Sequence, residues 1–290
     1  MTNNPPPERR RHPLEQPPAP PPGGAQPRQR VTLHIPSVRP TVTYTLIAIN
    51  VLVFIIRALS PQLDDQIFTW GANHPPDILL GAQYYRLLTS MFLHAGIYAD
   101  AFGTLDLVGA THIIFNMYVL YAVGQSMERL FGHARFLVIY LLGGLTGAVL
   151  STLLNSANTY SVGASGAVFA IIGAEFIYLY HHRKLMGEAG RQRRQSLIIF
   201  GIMNLAVGFL SALPGSNMLI DNWAHIGGLA GGLILSWFIS PILDLKAHPD
   251  HPGEILGVDT NPFPKNYWIV SAYSTALIVV MFVGVFLSRR

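Results

Sequence analysis

Four side chains in this sequence have the types and spacing for acyl-transfer chemistry. Ser165 stands in Gly163-Ala164-Ser165-Gly166, His225 in Ala224-His225-Ile226-Gly227-Gly228, and His112 and Asn116 lie four residues apart. A serine hydroxyl is a weak nucleophile until a base takes its proton. A neutral histidine can take it near neutral pH. Attack on a peptide carbonyl then creates an oxyanion, which needs preorganised donors. The Asn116 amide, the His112 imidazole N–H and the Ser165 backbone N–H can supply them. Gly163 and Gly166 would let the backbone sit close to a substrate. A serine opening a helix also places an anion at the positive end of the dipole.

Each residue has a plainer reading when taken alone. The Gly-Ala-Ser-Gly run could be small-residue packing between helices, and His225 precedes Gly228 and Gly232 at a spacing that lets helices approach. His112 and Asn116 share one helix face and could simply hydrogen-bond a neighbour. The elements that carry these residues decide between the readings.

Those elements are membrane spans. Half of the 290 residues are hydrophobic and 12% are charged, against about 25% in soluble domains. About 20 apolar residues cross a bilayer as a helix. Seven such stretches occur, at roughly 42–59, 107–125, 135–154, 165–181, 196–213, 223–241 and 267–287. All must be helical, because lipid offers no partners to backbone N–H and C=O groups. The expected fold is therefore all-α and polytopic. Its divisions are a tail (1–40), a six-helix unit (41–241), a linker (242–266) and a seventh helix with the C-terminus (267–290). The tail holds 12 of the 21 prolines and five arginines before residue 31, a composition expected to remain disordered. It could serve a proline-binding partner or act as a basic tether. Its polarity also rules out a signal peptide.

Orientation follows from Lys and Arg. With the N-terminus in the cytoplasm, 15 of the 19 fall inside: Arg9, Arg10, Arg11, Arg28, Arg30, Arg39, Arg129, Arg135, Arg183, Lys184, Arg191, Arg193, Arg194, Lys246 and Lys265. Arg57, Arg86, Arg289 and Arg290 fall outside, as does the C-terminus. This distribution accounts for the pI of 9.4 without nucleic acid. Spans two, four and six then run from outside to inside. At about 1.5 Å per residue, His112, Asn116, Ser165 and His225 all reach the outer third of the membrane. Polar groups there normally face a protein interior or a water-filled cavity. Their shared depth favours one site over separate packing roles.

No acid completes a triad in this reading. Asp221 lies in the outer loop, where it could be solvated, and Glu175 sits about 15 Å deeper than Ser165. The economical assignment is a Ser165–His225 dyad. Glu175 should hydrogen-bond another helix. His248 and His251 stand among Pro249, Asp250 and Pro252, which forbid a helical ligand face and favour a solvated linker over a metal site. With no cysteine, thiolate chemistry is excluded.

These residues resemble the rhomboid family of intramembrane serine proteases. Gly163-Ala164-Ser165-Gly166 is similar to its G-x-S-G nucleophile motif, and Ala224-His225 through Gly228 to Gly232 to its A-H-x-x-G-x-x-x-G base motif. His112 to Asn116 resembles the H-x-x-x-N oxyanion segment. Tyr85-Arg86 with Thr89 resembles W-R-x-x-T, with Tyr for Trp. Gly124, Glu128 and Gly132 match a structural G-x-x-x-E-x-x-x-G run. The resemblance implies a six-helix core with the serine in a water-filled outer cavity, no metal or cofactor, and single-span membrane proteins as substrates, cut near small side chains. It implies an aromatic platform for the base at Phe169, which periodicity alone would assign to core packing. It identifies His94 with a histidine that normally precedes the H-x-x-x-N segment closely. Here an insertion over 95–111 separates the two and enlarges the outer loop. The expected location is an integral multi-pass membrane protein, in the cell membrane if the source is prokaryotic. The rivals are a catalytically dead relative that binds membrane clients, against which all four site residues are present, and a solute transporter, against which no internal repeat is seen.

Overall fold

The computed structural model describes residues 32–96, 98–99, 105–106, 108–213 and 220–290. The proline-rich tail to residue 31 and seven residues of the 95–111 insertion lie outside these. The chain is mostly helical. In order come α1 (Thr41–Ala58), α2 (Pro61–Gly71), α3 (Pro75–Leu79), α4 (Arg86–Thr89), α5 (Val108–Val119), α6 (Gln125–Phe131), α7 (His133–Leu154), α8 (Ser165–His181), α9 (Arg183–Ser211), α10 (Asn222–Ile239) and α11 (Tyr267–Ser288).

Among the described residues, four helical segments are long and apolar enough to cross a membrane alone: Thr41–Ala58, His133–Leu154, Arg183–Ser211 and Phe263–Ser288. The other expected spans fall short individually, for physical reasons. A π-helical turn at Leu120–Gly124 separates α5 from α6. Helix α10 begins with polar residues and carries Gly227, Gly228, Gly231 and Gly232. Helix α8 has only 17 residues, but 13 of them are buried, so protein rather than lipid surrounds it. Span five is longer than expected. Its helix starts at Arg183 and breaks direction at Gly187, which has φ 51° and ψ −135°.

Helices α7, α8 and α10 form the centre and meet backbone to backbone. A Cβ on Gly228 would lie 2.0 Å from Gly166 O, and one on Gly232 would lie 2.0 Å from Ala170 O. One on Gly147 would lie 2.5 Å from Ala224 O. Any side chain at these positions would push the helices apart. Helix α1 is fastened to this centre at its start. Pro40 offers no side-chain cap, and the fully buried Glu128 carboxylate on α6 takes its place. It accepts from Val42 N (2.8 Å), Thr43 N (2.7 Å) and Thr43 Oγ1 (2.7 Å). These N–H groups would otherwise be orphaned at a helix end.

Residues 242–266, expected as a solvated linker, instead hold two strands. β4 (Leu243–Ala247) pairs antiparallel with β5 (Glu254–Asp259), and β1 (Thr32–His34) adds to β5 in parallel. A short hairpin, β2 (Tyr98–Ala99) with β3 (Leu105–Asp106), lies inside the insertion. The prolines and Asp250 that argued against a helix occupy the turn between β4 and β5. The sheet is docked on the helix ends. Arg135 of α7 pairs with Asp259 at 2.8 Å, and Leu243 N donates to His182 Nε2 at 3.0 Å.

Candidate active site

Ser165 is the first residue of α8, preceded by Ala164 at the cap position. The strand-like approach to it is tied at two points. Asn73 and Ser161 exchange backbone hydrogen bonds of 3.0 and 2.9 Å, and Gly163 N donates to Ser90 O at 3.0 Å. Asn73 is itself held by Ala148 O (2.9 Å) and by the Thr152 hydroxyl (3.0 Å). Gly163 then turns the chain into α8 at φ 136°, a conformation that a residue with a Cβ rarely adopts.

His225 lies in the first turn of α10 and is buried. Phe169, one turn after Ser165, stacks on its ring with centroids 4.4 Å apart and planes 12° apart. Ser165 shares that face of α8, and the Gly166–Gly228 contact brings the two helix starts together. His225 Nδ1 is buried without a hydrogen-bond partner. Among the described residues no carboxylate bonds to Nδ1, and the ring is held by stacking and helix packing.

Asp221 is engaged elsewhere rather than solvated. It caps α10 by accepting from Ala224 N at 3.0 Å. Its other oxygen accepts from the hydroxyls of Ser151 and Ser161. An aspartate immediately before an apolar run is a helix-start signal, so this role was open to sequence reasoning. The anchors Asn73 and Ser90 carried no such signal, being ordinary polar residues of a long loop. Glu175 finds its partner in Arg193 of α9, through bonds of 2.6 and 2.9 Å.

The third side of the site is α5. His112 Nδ1 accepts from Ala95 N at 3.4 Å, which leaves Nε2 to carry the proton. A Cβ on Gly163 would stand 3.0 Å from His112 Nε2 and 3.7 Å from Ser165 Oγ, so both groups close on one point. Asn116 is buried, and its amide donates to His112 O at 3.0 Å. His94 packs edge-on against His112, with centroids 5.2 Å apart. Its carbonyl accepts from Arg57, so His94 still adjoins the site despite the insertion. Phe169 thus stacks on His225, His112 and Ser165 flank Gly163, Gly166 abuts Ala224, and Asn116 bonds to the His112 carbonyl. A cavity of about 20 Å³ opens beside them, lined by Asn73, Ser90, Met91, Ala148, Ser161 and Gly166.

The rhomboid domain profile matches residues 81–242. The chain belongs to the rhomboid family. It is 35% identical over 196 residues to Rhomboid protease GluP of Bacillus subtilis (strain 168), covering 67% of this chain and 34% of that protein. It is 32% identical over 171 residues to RHOMBOID-like protein 4 of Arabidopsis thaliana, covering 59% and 38%. With Rhomboid-type serine protease 2 of Emericella nidulans, identity is 31% over 182 residues, covering 62% and 31%. The chain therefore spans roughly a third of the length of these relatives. Family membership and the apolar helices make it an integral multi-pass membrane protein.

The rhomboid motifs outside the four polar side chains have structural explanations here. Arg86 bonds to Ala72 O at 2.9 Å and pairs with Asp77 at 3.1 Å, while Thr89 donates to Gly71 O at 2.8 Å. Together they fold the loop that carries Asn73 and Ser90 to Ser161 and Gly163.

Proposed function

We propose that this rhomboid is an active intramembrane serine endopeptidase working through a Ser165–His225 dyad. The observation that carries the reading is the meeting of three helix segments at Ser165: His225 stacked on Phe169, and His112 Nε2 facing Gly163. In the reaction, His225 takes the Ser165 hydroxyl proton as Oγ bonds to the scissile carbonyl carbon. The resulting oxyanion is held by His112 Nε2–H, the Ser165 N–H and the Asn116 amide. His225 then returns the proton to the leaving amine as the C–N bond breaks, giving the acyl-enzyme. A water, deprotonated by His225, releases the acid and restores Ser165. The substrates are single-span membrane proteins. The small cavity at Gly166 favours a small side chain next to the cut bond. The basic ends of α7, α8 and α9, with the sheet, face the cytoplasm, and the site faces outside.

A fluorophosphonate probe added to detergent-purified protein tests this reading, with intact mass as readout. Wild type should gain one adduct, and Ser165→Ala none. Cleavage of a single-span substrate should vanish in Ser165→Ala and His225→Ala while both retain the wild-type thermal midpoint. Wild-type turnover in either variant would reject the dyad. An unlabelled, inert wild type that still retains a single-span client would favour the client-binding reading.

A further inference from the structure

We infer that Tyr273, on the seventh helix, is a positioning residue for the dyad. The inference rests on the serine-protease reading above. Tyr273 OH lies 2.6 Å from Thr146 Oγ1 on α7. Thr146 gives its own proton to Leu142 O at 2.7 Å, so Tyr273 is the donor. Among the described residues, this is the side-chain hydrogen bond that joins α11 to the core helices. The two hydroxyls cover Gly231 of α10: a Cβ there would lie 2.8 Å from Tyr273 OH and 3.0 Å from Thr146 Oγ1.

The same seam continues upward to the active site. A Cβ on Gly227 would meet Thr146 O at 2.9 Å, and one on Gly147 would meet Ala224 O at 2.5 Å. Ala224 is the residue before His225. Tyr273 thus closes the lower end of the α7–α10 contact whose upper end fixes the base. On its other side α10 bears on α8 through Gly228 and Gly166. A dyad whose imidazole Nδ1 has no carboxylate partner depends on helix placement for its geometry. Displacement of about 1 Å at a reacting group can lower a rate about a hundredfold. The rest of α11 reinforces the splint: Met281 and Val285 are buried with Ile78, Leu87, Ala148 and Val149.

The test uses the full chain in detergent, with Tyr273→Phe, Thr146→Val, Thr146→Ser and the Tyr273→Phe/Thr146→Val pair. Labelling rate of Ser165 by a fluorophosphonate, kcat and KM on a single-span substrate, and thermal midpoint are read for each. Tyr273→Phe and Thr146→Val should each lower labelling rate and kcat about three- to tenfold with KM unchanged, the scale of one buried hydrogen bond. The pair should be no slower than either single variant, and Thr146→Ser, which keeps the acceptor, should match wild type. Wild-type labelling and kcat in Tyr273→Phe, with or without a lowered midpoint, would overturn the inference. So would single effects that multiply in the pair. A wild type that fails to label would instead overturn the protease reading.

Discussion

At the scale of single residues, the proposed base His225 has no acid bonded to its Nδ1. Asp221 is four residues from His225, yet its oxygens are taken by Ala224 N, Ser151 and Ser161. In a Ser-His-Asp triad, replacing the aspartate by asparagine costs about 10⁴ in kcat. Asp221→Asn should here cost less than about tenfold, while lowering the thermal midpoint through a weaker cap and loop anchor. Kinetics and a thermal scan of the variant check both; a fall of thousands in kcat would make Asp221 part of the catalytic relay. The polar residues of the candidate site stand out in the sequence because buried polar groups are expensive in a membrane and contrast with apolar neighbours. Asn73 and Ser90 were not, because a polar residue in a loop carries no such penalty and so no contrast. Phe169 was legible only through the family resemblance, since an aromatic ring in an apolar helix looks like any core residue.

Among elements, the contact between α8 and α10 governs the site. Gly228→Ala places a methyl carbon 2.0 Å from Gly166 O, which the backbone cannot yield without moving a helix. Overpacking of this kind costs about 1–3 kcal/mol. The variant should lose cleavage and probe labelling well before it loses its helices by circular dichroism. Normal labelling in Gly228→Ala would show that α8 and α10 tolerate separation. The α1–α6 joint is the second contact to test. Glu128→Ala strips Val42 N, Thr43 N and Thr43 Oγ1 of their acceptor and removes the His133 contact, at about 1–3 kcal/mol per unpaired buried group. Its thermal midpoint should fall sharply, and a wild-type midpoint would rule out the carboxylate as the cap of α1. Helix positions could be read from the sequence because lipid forces apolar runs into helices. The sheet went unread: β4 alternates apolar and polar residues over Leu243–Ala247 and β5 holds Ile255, Leu256 and Val258, but runs of five and six residues around a proline-rich turn look like a linker.

Across the whole molecule, α8 is joined to the sheet through His182. Its Nδ1 lies 2.8 Å from Tyr178 O, and its Nε2 accepts from Leu243 N. Only the neutral ring, with its proton on Nδ1, satisfies both. Burial pushes the His182 pKa down, the bond to Tyr178 O and the Asp259 carboxylate pull it up, and the net shift is downward. His181 and Arg183 flank it in the chain. The folded form binds the proton less readily than the unfolded chain, so this contact is complete above the ordinary histidine value of about 6.5. It is lost as pH falls below that value toward the folded pKa. Protection of the β4 amides against hydrogen exchange, referred to the intrinsic rate at each pH, should therefore fall as pH drops below about 6.5, and His182→Gln should flatten that dependence. An unchanged acid response in the variant would remove His182 from the account. The charge pattern can be tested on the same scale: an accessibility tag after Arg194 should be reached only from the cytoplasm.

The parallel pairing of β1 with β5 has a consequence for how the chain is made. Thr32 lies opposite Glu254, so every helix from α1 to α10 must be synthesised before the first strand meets its partner. At about 5–20 residues per second, that delay is roughly 10–40 s. The sheet is therefore a late event in biogenesis, sealed only after the helices that carry Ser165 and His225 have left the ribosome. Chains that stall between the end of α10 and residue 254 would carry both Ser165 and His225 but leave β1 as an open strand, a form that quality control could distinguish from the finished molecule.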